Sequence, residues 1–310
     1  MTILTHYRSD AAPMSDSPTP MSPALWDGRN LSTLLPLQDL GGDRYASRAS
    51  DGNVNQRLYG GQLLGQALLA ATQTVAPERR VHMLQATFLR GATIDHPTTL
   101  QVQRLLDGSR YSSRHVRVSQ GEQAVLDAQV SFQVAQDSPL HRQIDADPVP
   151  DPDALTDMVD LVRNSPQKFV LGTVPLIEKH CVEMRPVAPE DFLFVANTQP
   201  RLRFWLKLRE PLPDTPALHD AAVAYLSDYF ITFCSYGLYT PMVGMRDYYV
   251  ASLNHGLWFH ESPRGDDWLL FDCESPATGH RRGFAVVKIF DRARRLVASA
   301  TQQCTLGERQ

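Results

Sequence analysis

The feature that most constrains this chain is an internal repeat. A helix-like stretch followed by four strand-like segments occurs twice, in the same order. In the first copy, Gly60-Gly61-Gln62 opens a run in which Leu63, Leu64, Ala67, Leu68 and Ala71 recur at helical spacing, and Pro77 closes it. Strand-like segments follow at about 81–90, 99–106, 110–119 and 123–134, parted by the turn formers His96-Pro97, Asp107-Gly108 and Gly121. In the second copy the helical stretch runs from about Leu218 to Ser235, and the strands lie near 249–260, 267–275, 281–290 and 295–306. Phe88 and Trp258, Val116 and Val286, and Ala128 and Ala298 are each 170 residues apart, so the two meanders superimpose almost without gaps. Duplication of one unit explains this directly.

A helix that is apolar over most of its surface buries itself if a long antiparallel sheet curls around it, and two such units side by side hide the remaining sheet edges. The expected class is therefore α+β, a double hotdog in which each unit is a long helix wrapped by a curved antiparallel sheet. The expected division is a disordered tail over 1–30, a structural half over 31–136, a linker with a short helix over 137–180, and a working half over 181–310. Residues 9–23 hold four prolines and four serines and little that could pack. Around the linker, Pro139, Pro148, Pro150 and Pro152 alternate with aspartates, which excludes regular helix or sheet interior. Leu155, Met158, Val159 and Val162 then suggest a short helix with Asp153 as its cap.

Composition excludes several functions. The net charge of −4 gives no electrostatic reason to expect a nucleic-acid partner, although it leaves room for a local basic patch that meets a small anion. The four cysteines, Cys181, Cys234, Cys273 and Cys304, are scattered without the spacing of a zinc or redox site, so reduced thiols in the cytoplasm are expected. No run of 18 apolar residues occurs, so no membrane span is expected either.

The polar residue that stands out is Asp228. At 100° per residue it falls on the stripe of Ala221 and Tyr225, which would aim a carboxylate at the buried side of the helix. Such a charge is costly unless it is hydrogen-bonded or has a task. A strand supplies the hydroxyl of Ser252 and the last strand supplies the amide of Gln302. Together the three could hold one water, with the carboxylate taking its proton while hydroxyl and amide orient it. An ion-paired structural aspartate is the competing reading. In the first half, Met83 or Leu84 and Phe132 or Gln133 occupy the places equivalent to Ser252 and Gln302, so that half is expected to be structural. The Gly60-Gly61-Gln62 turn is the exception, since N–H groups at a helix N-terminus can polarise a carbonyl; close helix packing explains the glycines equally well. Ser252 and His255 do not suggest a serine hydrolase: no Gly-x-Ser-x-Gly elbow exists, and strand positions three apart point to opposite faces. His219 shares a helix face with Asp228, and Arg281-Arg282 could meet phosphates.

These residues resemble a known family. Gly60 to Leu68, Phe88-Leu89-Arg90, Arg104 to Gly108, Val182 to Val187, Tyr225-Leu226-Ser227-Asp228 and Leu257 to His260 are similar, in order and in both halves, to the type II (TesB-like) acyl-CoA thioesterases, from about residue 35 to 306. The resemblance implies a double hotdog that hydrolyses acyl-CoA to a free acid and CoA, with no cofactor or metal, and with Asp228, Ser252 and Gln302 around the attacking water. Tyr225, Tyr229 and Phe230 are expected beside Gly60, Gly61 and Gln62 at the substrate, and further association into a homo-oligomer is expected. Bacterial members carry Thr-Ile-Asp-His where this chain has Ser252-Leu253-Asn254-His255, so Asn254 replaces a carboxylate. A non-catalytic acyl-CoA sensor and an enoyl-CoA hydratase on the same fold remain as alternatives.

Overall fold

The structure, a computed structural model, describes residues 23–52, 56–144, 147–164, 179–189, 199–237 and 248–308. The first half holds β1 (Ala24–Leu25), α1 (Leu31–Leu34), β2 (Leu37–Gly41), β3 (Arg44–Ser47), β4 (Ala49–Ser50), α2 (Gly60–Thr72), β5 (Arg79–Phe88), β6 (Thr99–Asp107), β7 (Tyr111–Gln120) and β8 (Gln123–Val134). A 3-10 turn (Pro152–Ala154) and α3 (Met158–Asn164) precede β9 (Val182–Pro186), β10 (Arg201–Leu208), α4 (Pro216–Leu226), α5 (Phe233–Tyr236), β11 (Tyr248–Phe259), β12 (Leu269–Gly279), β13 (Arg282–Asp291) and β14 (Leu296–Glu308).

Among the described residues, 12 strands form one sheet in the order β2-β3-β6-β7-β8-β5-β11-β14-β13-β12-β10-β9. At its centre β5 runs antiparallel to β11, with Asn254 opposite Thr87 and Trp258 opposite Met83. Moving outward from that seam, each strand of one half meets its counterpart in the other at the same distance. This is the double hotdog, and the seam covers the edge that each sheet would otherwise expose. Helix α2 lies against β6, β7 and β8 and against α4. Every residue of α2 from Gly61 to Ala71 is buried, so this helix is stable only when wrapped. A Cβ on Gly61 would run into the Tyr225 carbonyl oxygen and the Tyr59 ring, and one on Gly65 would lie 2.8 Å from the Ala221 carbonyl oxygen. The two helices therefore touch backbone to backbone, which only glycine permits.

The eight meander strands lie within about four residues of their expected bounds. The two outermost strands at each end of the sheet, β2 with β3 and β9 with β10, were not foreseen, because Leu37–Gly41 ends in glycine and Arg201–Leu208 carries Trp205 and Leu206 in succession rather than a clean alternation. The second helix is not continuous over 218–235. It ends at Leu226, Ser227 closes it by donating its N–H to the Val223 carbonyl, and Phe230 takes a left-handed φ of 66°. The aromatic and β-branched run Tyr229-Phe230-Ile231-Thr232-Phe233 is weakly helical, so little resists the break. Asp153 does not cap α3; Asp157 accepts the Val159 N–H there, while Asp151 accepts that of Asp153 at the 3-10 turn. The expected tail falls mostly outside the described residues, but order begins before residue 31, since Ala24–Leu25 pairs with Ala49–Ser50 and Trp26 packs on the core. Part of the expected linker, 145–146 and 165–178, also lies outside the described residues. Its described part follows the second half: Trp205 Nε1 donates to Pro150 O, and Arg292 bonds Asp151 and Asp153.

Each half carries a β-bulge at the same place, with His82 as the extra residue in β5 and Leu253 in β11. Aligning the bulges makes the separation of these strands 171 residues rather than 170. By ladder position Ser252, His255 and Gln302 thus correspond to Val81, Leu84 and Val130, which replaces the expected equivalences with Met83 or Leu84 and Phe132 or Gln133. All three counterparts are apolar.

One buried acid outside this region carries a stability prediction. Asp220 on α4 is 5% exposed, and burial pushes its carboxyl up to about 7 against only partial opposition from the Arg80 guanidinium. The unfolded chain ionises this group near 3.8, so folding loses stability as pH rises from about 4 to about 7. Asp220→Asn is expected to raise Tm by several degrees above pH 7 and not at all below pH 4, in thermal melts across that range.

Candidate active site

Asp228 lies two residues beyond the end of α4, in the turn that follows it, rather than on the helix stripe inferred from spacing. From there it meets residues of two neighbouring strands. Gln302 Nε2 donates to Asp228 Oδ1 at 2.7 Å and lies 2.6 Å from Ser252 Oγ, and the Ser252 hydroxyl is 3.4 Å from the same carboxylate oxygen. The structure thus brings the three expected residues together. The bulge at Leu253 makes this possible: it turns Ser252 and His255, three apart, onto the same face, against the alternation expected of a regular strand. His255 consequently joins the group, with Nδ1 3.0 Å from Gln302 Oε1 and Nε2 2.9 Å from Ser227 Oγ. Spacing alone pointed away from His255; only the bulge reveals it.

The first half also contributes. The Gly61 N–H, at the start of α2, is directed at the Asp228 carboxylate, and a Cβ on Gly60 would sit 2.5 Å from Asp228 Oδ2. The carboxylate is therefore seated on a helix N-terminus, where the peptide dipoles favour negative charge. Burial is nonetheless the larger influence and pushes the Asp228 carboxyl up to about 6; Gln302, the Lys179 ammonium, the Gly61 N–H and Ser252 all oppose it. A base with that affinity for a proton is ionised at neutral pH and still able to accept one.

Gly60 and Gly61 thus stand at the site, but the Gly61 N–H faces Asp228, and Gln62 N–H is used by Tyr59 O. Gln62 points elsewhere: its amide is fully buried between Asp51 N–H, Ser47 Oγ and Ala49 O, so it ties α2 to the neighbouring strands and is not placed to touch a substrate. Tyr225 is likewise internal, donating its hydroxyl to Asp51 Oδ2 at 2.7 Å and meeting Lys179 Nζ at 3.2 Å. Lys179 in turn lies 3.8 Å over the Tyr59 ring and is paired with Asp51. Tyr229 and Phe230 are buried beside the site, with Phe230 packed on Phe204 and Phe233. Asn254 is turned to the other face, bonded to Gln303, so the lost carboxylate has no contact with Asp228. His219 approaches Asp266 at 3.6 Å, not Asp228, and Arg281 and Arg282 lie exposed at the β12–β13 turn.

Comparisons with known proteins identify the family. Residues 49–133 match the Acyl-CoA thioesterase N-terminal domain and residues 144–306 the Acyl-CoA thioesterase C-terminal domain. This chain belongs to the acyl-CoA thioesterase family. It is 31% identical to acyl-coenzyme A thioesterase 8 of Mus musculus, over 88% of this chain and 87% of that one. It is 26% identical to acyl-CoA thioesterase 2 of Haemophilus influenzae, over 88% and 96% of the two chains. Among solved structures, the acyl-CoA thioesterase II TesB2 of Mycobacterium marinum superimposes with a TM-score of 0.74 at 30% identity, covering 90% of this chain and 99% of the other. The enzyme is a thioester hydrolase acting on acyl-CoA. In this thioesterase, among the described residues, no helix is long and apolar enough to cross a membrane and no group of metal-ligating side chains is found.

Proposed function

We propose that this thioesterase releases free acid and CoA by direct attack of water, with Asp228 as the base and Ser252 and Gln302 as the groups that orient the water. The observation that carries the reading is the convergence of Gln302 Nε2 and Ser252 Oγ on a single oxygen of a buried carboxylate whose pKa is raised to about 6. Gln302 spends its N–H groups on Asp228 and Ser252 and so orients the water through them, while the long 3.4 Å contact from the Ser252 hydroxyl to Asp228 gives way to a water entering between the two. Attack on the thioester carbonyl then passes the water's proton to Asp228. The thiolate leaves readily, so no acyl-enzyme is needed. Ser252 is a poor candidate nucleophile, because His255 contacts Gln302 and Ser227 rather than the Ser252 hydroxyl.

In this reading the first half supplies the helix N-terminus, the second supplies the reacting side chains, and the Gly60 N–H is the remaining first-turn donor for the carbonyl oxygen. Tyr229 and Phe230 border the acyl chain. Buried, unpaired cysteines support a cytoplasmic setting, and exposed Leu105, Leu106 and Tyr111 on β6 and β7 support further association of whole chains. A thiol-release assay over short, medium and long acyl-CoAs tests the chemistry. Equal amounts of free acid and CoA are expected; 3-hydroxyacyl-CoA from an enoyl-CoA would show hydration instead, and ligand bound but unchanged would show a sensor.

A further inference from the structure

The site proposed above uses an amide whose two ends differ chemically but hardly in shape. Rotated by half a turn, Gln302 would present its carbonyl oxygen to Asp228 and Ser252, opposing one acceptor to another and removing the donor that the carboxylate uses. Something outside the trio must hold the amide the right way round. Gln302 is 1% exposed, so solvent does not do it, and on its far side Oε1 faces His255 Nδ1 at 3.0 Å.

We infer that His255, held in turn by Ser227, is a positioning residue that locks the Gln302 amide with its N–H groups toward Asp228 and Ser252. This rests on the proposed site. His255 is itself 1% exposed, and burial pushes its imidazole down to about 4, so at neutral pH the ring carries one proton. If that proton is on Nδ1, the ring donates to Gln302 Oε1 and its Nε2 lone pair accepts the Ser227 hydroxyl at 2.9 Å. If it is on Nε2, the ring donates to Ser227 Oγ, the Ser227 hydroxyl turns to the Ala224 carbonyl at 2.8 Å, and Nδ1 demands a donor from Gln302. The second arrangement places the Gln302 oxygen against the ionised Asp228 and is disfavoured as long as that charge is present. The first satisfies both ring nitrogens and both ends of the Gln302 amide, giving up only the Ser227 hydrogen at the Ala224 carbonyl, and it runs as one chain: Ser227 O–H to His255, His255 Nδ1–H to Gln302, Gln302 N–H to Asp228 and Ser252.

The chain also affects the proton affinity of the base, because the Gln302 donor is the first of the groups that lower the Asp228 pKa against burial. Among the described residues, the charged and titratable groups around Asp228 are Lys179, which favours its ionised form, Asp51 paired with that lysine, and Tyr59, which is buried and neutral. None of these contacts His255, so a change at His255 reaches the base through Gln302.

The test combines kinetics of the full chain with a spectroscopic measurement on the wild type. His255→Leu should lower kcat about 100-fold with KM within about threefold, and should move the acid limb of the kcat profile upward by about one pH unit. His255→Asn, whose amide can place an N–H near the former Nδ1–H, should recover at least about tenfold and restore the limb. Ser227→Ala should show a smaller loss in the same direction. In the wild type, a two-bond 1H–15N correlation spectrum of histidine-labelled protein at pH 7, assigned by the signal lost in His255→Asn, should show a neutral ring protonated at Nδ1. A ring protonated at Nε2 overturns the inference, and so does a folded His255→Leu with an unmoved limb. If His255→Leu does not fold, Ser227→Ala and the wild-type spectrum decide the matter. Full activity in Asp228→Asn would overturn the site and this inference together, whereas a dead Asp228→Asn beside an unshifted His255→Leu would overturn only the positioning role.

Discussion

Asp228→Asn should leave the protein folded and reduce kcat about 1000-fold, since general base catalysis contributes on the order of 100- to 10,000-fold and no other carboxylate contacts Ser252 or Gln302 among the described residues. The asparagine keeps an oxygen to accept the Gln302 N–H but cannot take a proton from water. Steady-state thiol release measures this, and more than a few per cent of wild-type kcat would remove Asp228 from the role of base. In the wild type the same group sets the pH dependence. Its carboxyl is raised to about 6, and it acts only when ionised, so kcat should be full above about pH 7 and fall as pH drops through about 6. An acid limb near 4 would mean that the burial of Asp228 is relieved in the working enzyme.

Gly61→Ala is expected to have the largest effect on folding. Alanine in an exposed helix normally stabilises by about 1 kcal/mol over glycine. Here the added Cβ would overlap the Tyr225 carbonyl oxygen and the Tyr59 ring, and the backbone of α4 has no room to retreat without opening the core between the halves. Overpacking of that kind costs about 3 kcal/mol or more, so the steric term outweighs helix propensity. Urea unfolding of Gly61→Ala beside Gly279→Ala checks this, because a Cβ on Gly279 meets nothing within 4 Å. Equal midpoints for the two variants would show that α2 and α4 are not pressed together as the structure describes. The variant that does fold should also lose activity, since Gly61 supplies the N–H that faces Asp228.

How much of this was legible beforehand differs from one residue to another. The meander strands were, because they alternate with period two and are bounded by turn residues such as Asp107-Gly108 and Gly121. The trio was named from the resemblance and from its polar character in apolar surroundings. Its placement was not legible. Helical spacing carried Asp228 onto the buried stripe of a continuous helix, whereas the chain leaves the helix at Leu226 and turns at Phe230. Gln62 and Tyr225 were assigned to the substrate by their position in motifs, but each spends its polar atoms on Asp51 and the strands nearby.

What the sequence by itself determined is the set of local patterns: two helices too apolar to be exposed, two meanders in near-identical register, and therefore a duplicated α+β unit whose sheets join edge to edge. These follow from periodicity and composition, which are properties of neighbours along the chain. The tertiary structure alone decided which side chains meet. A single extra residue at Leu253 reverses the alternation of β11 and sets His255 beside Ser252, and two glycines let α2 of one half bring its N-terminus to a carboxylate of the other. The first depends on the pairing of β11 with β14, about 50 residues apart, and the second on contacts between segments more than 150 residues apart, and no local pattern records either.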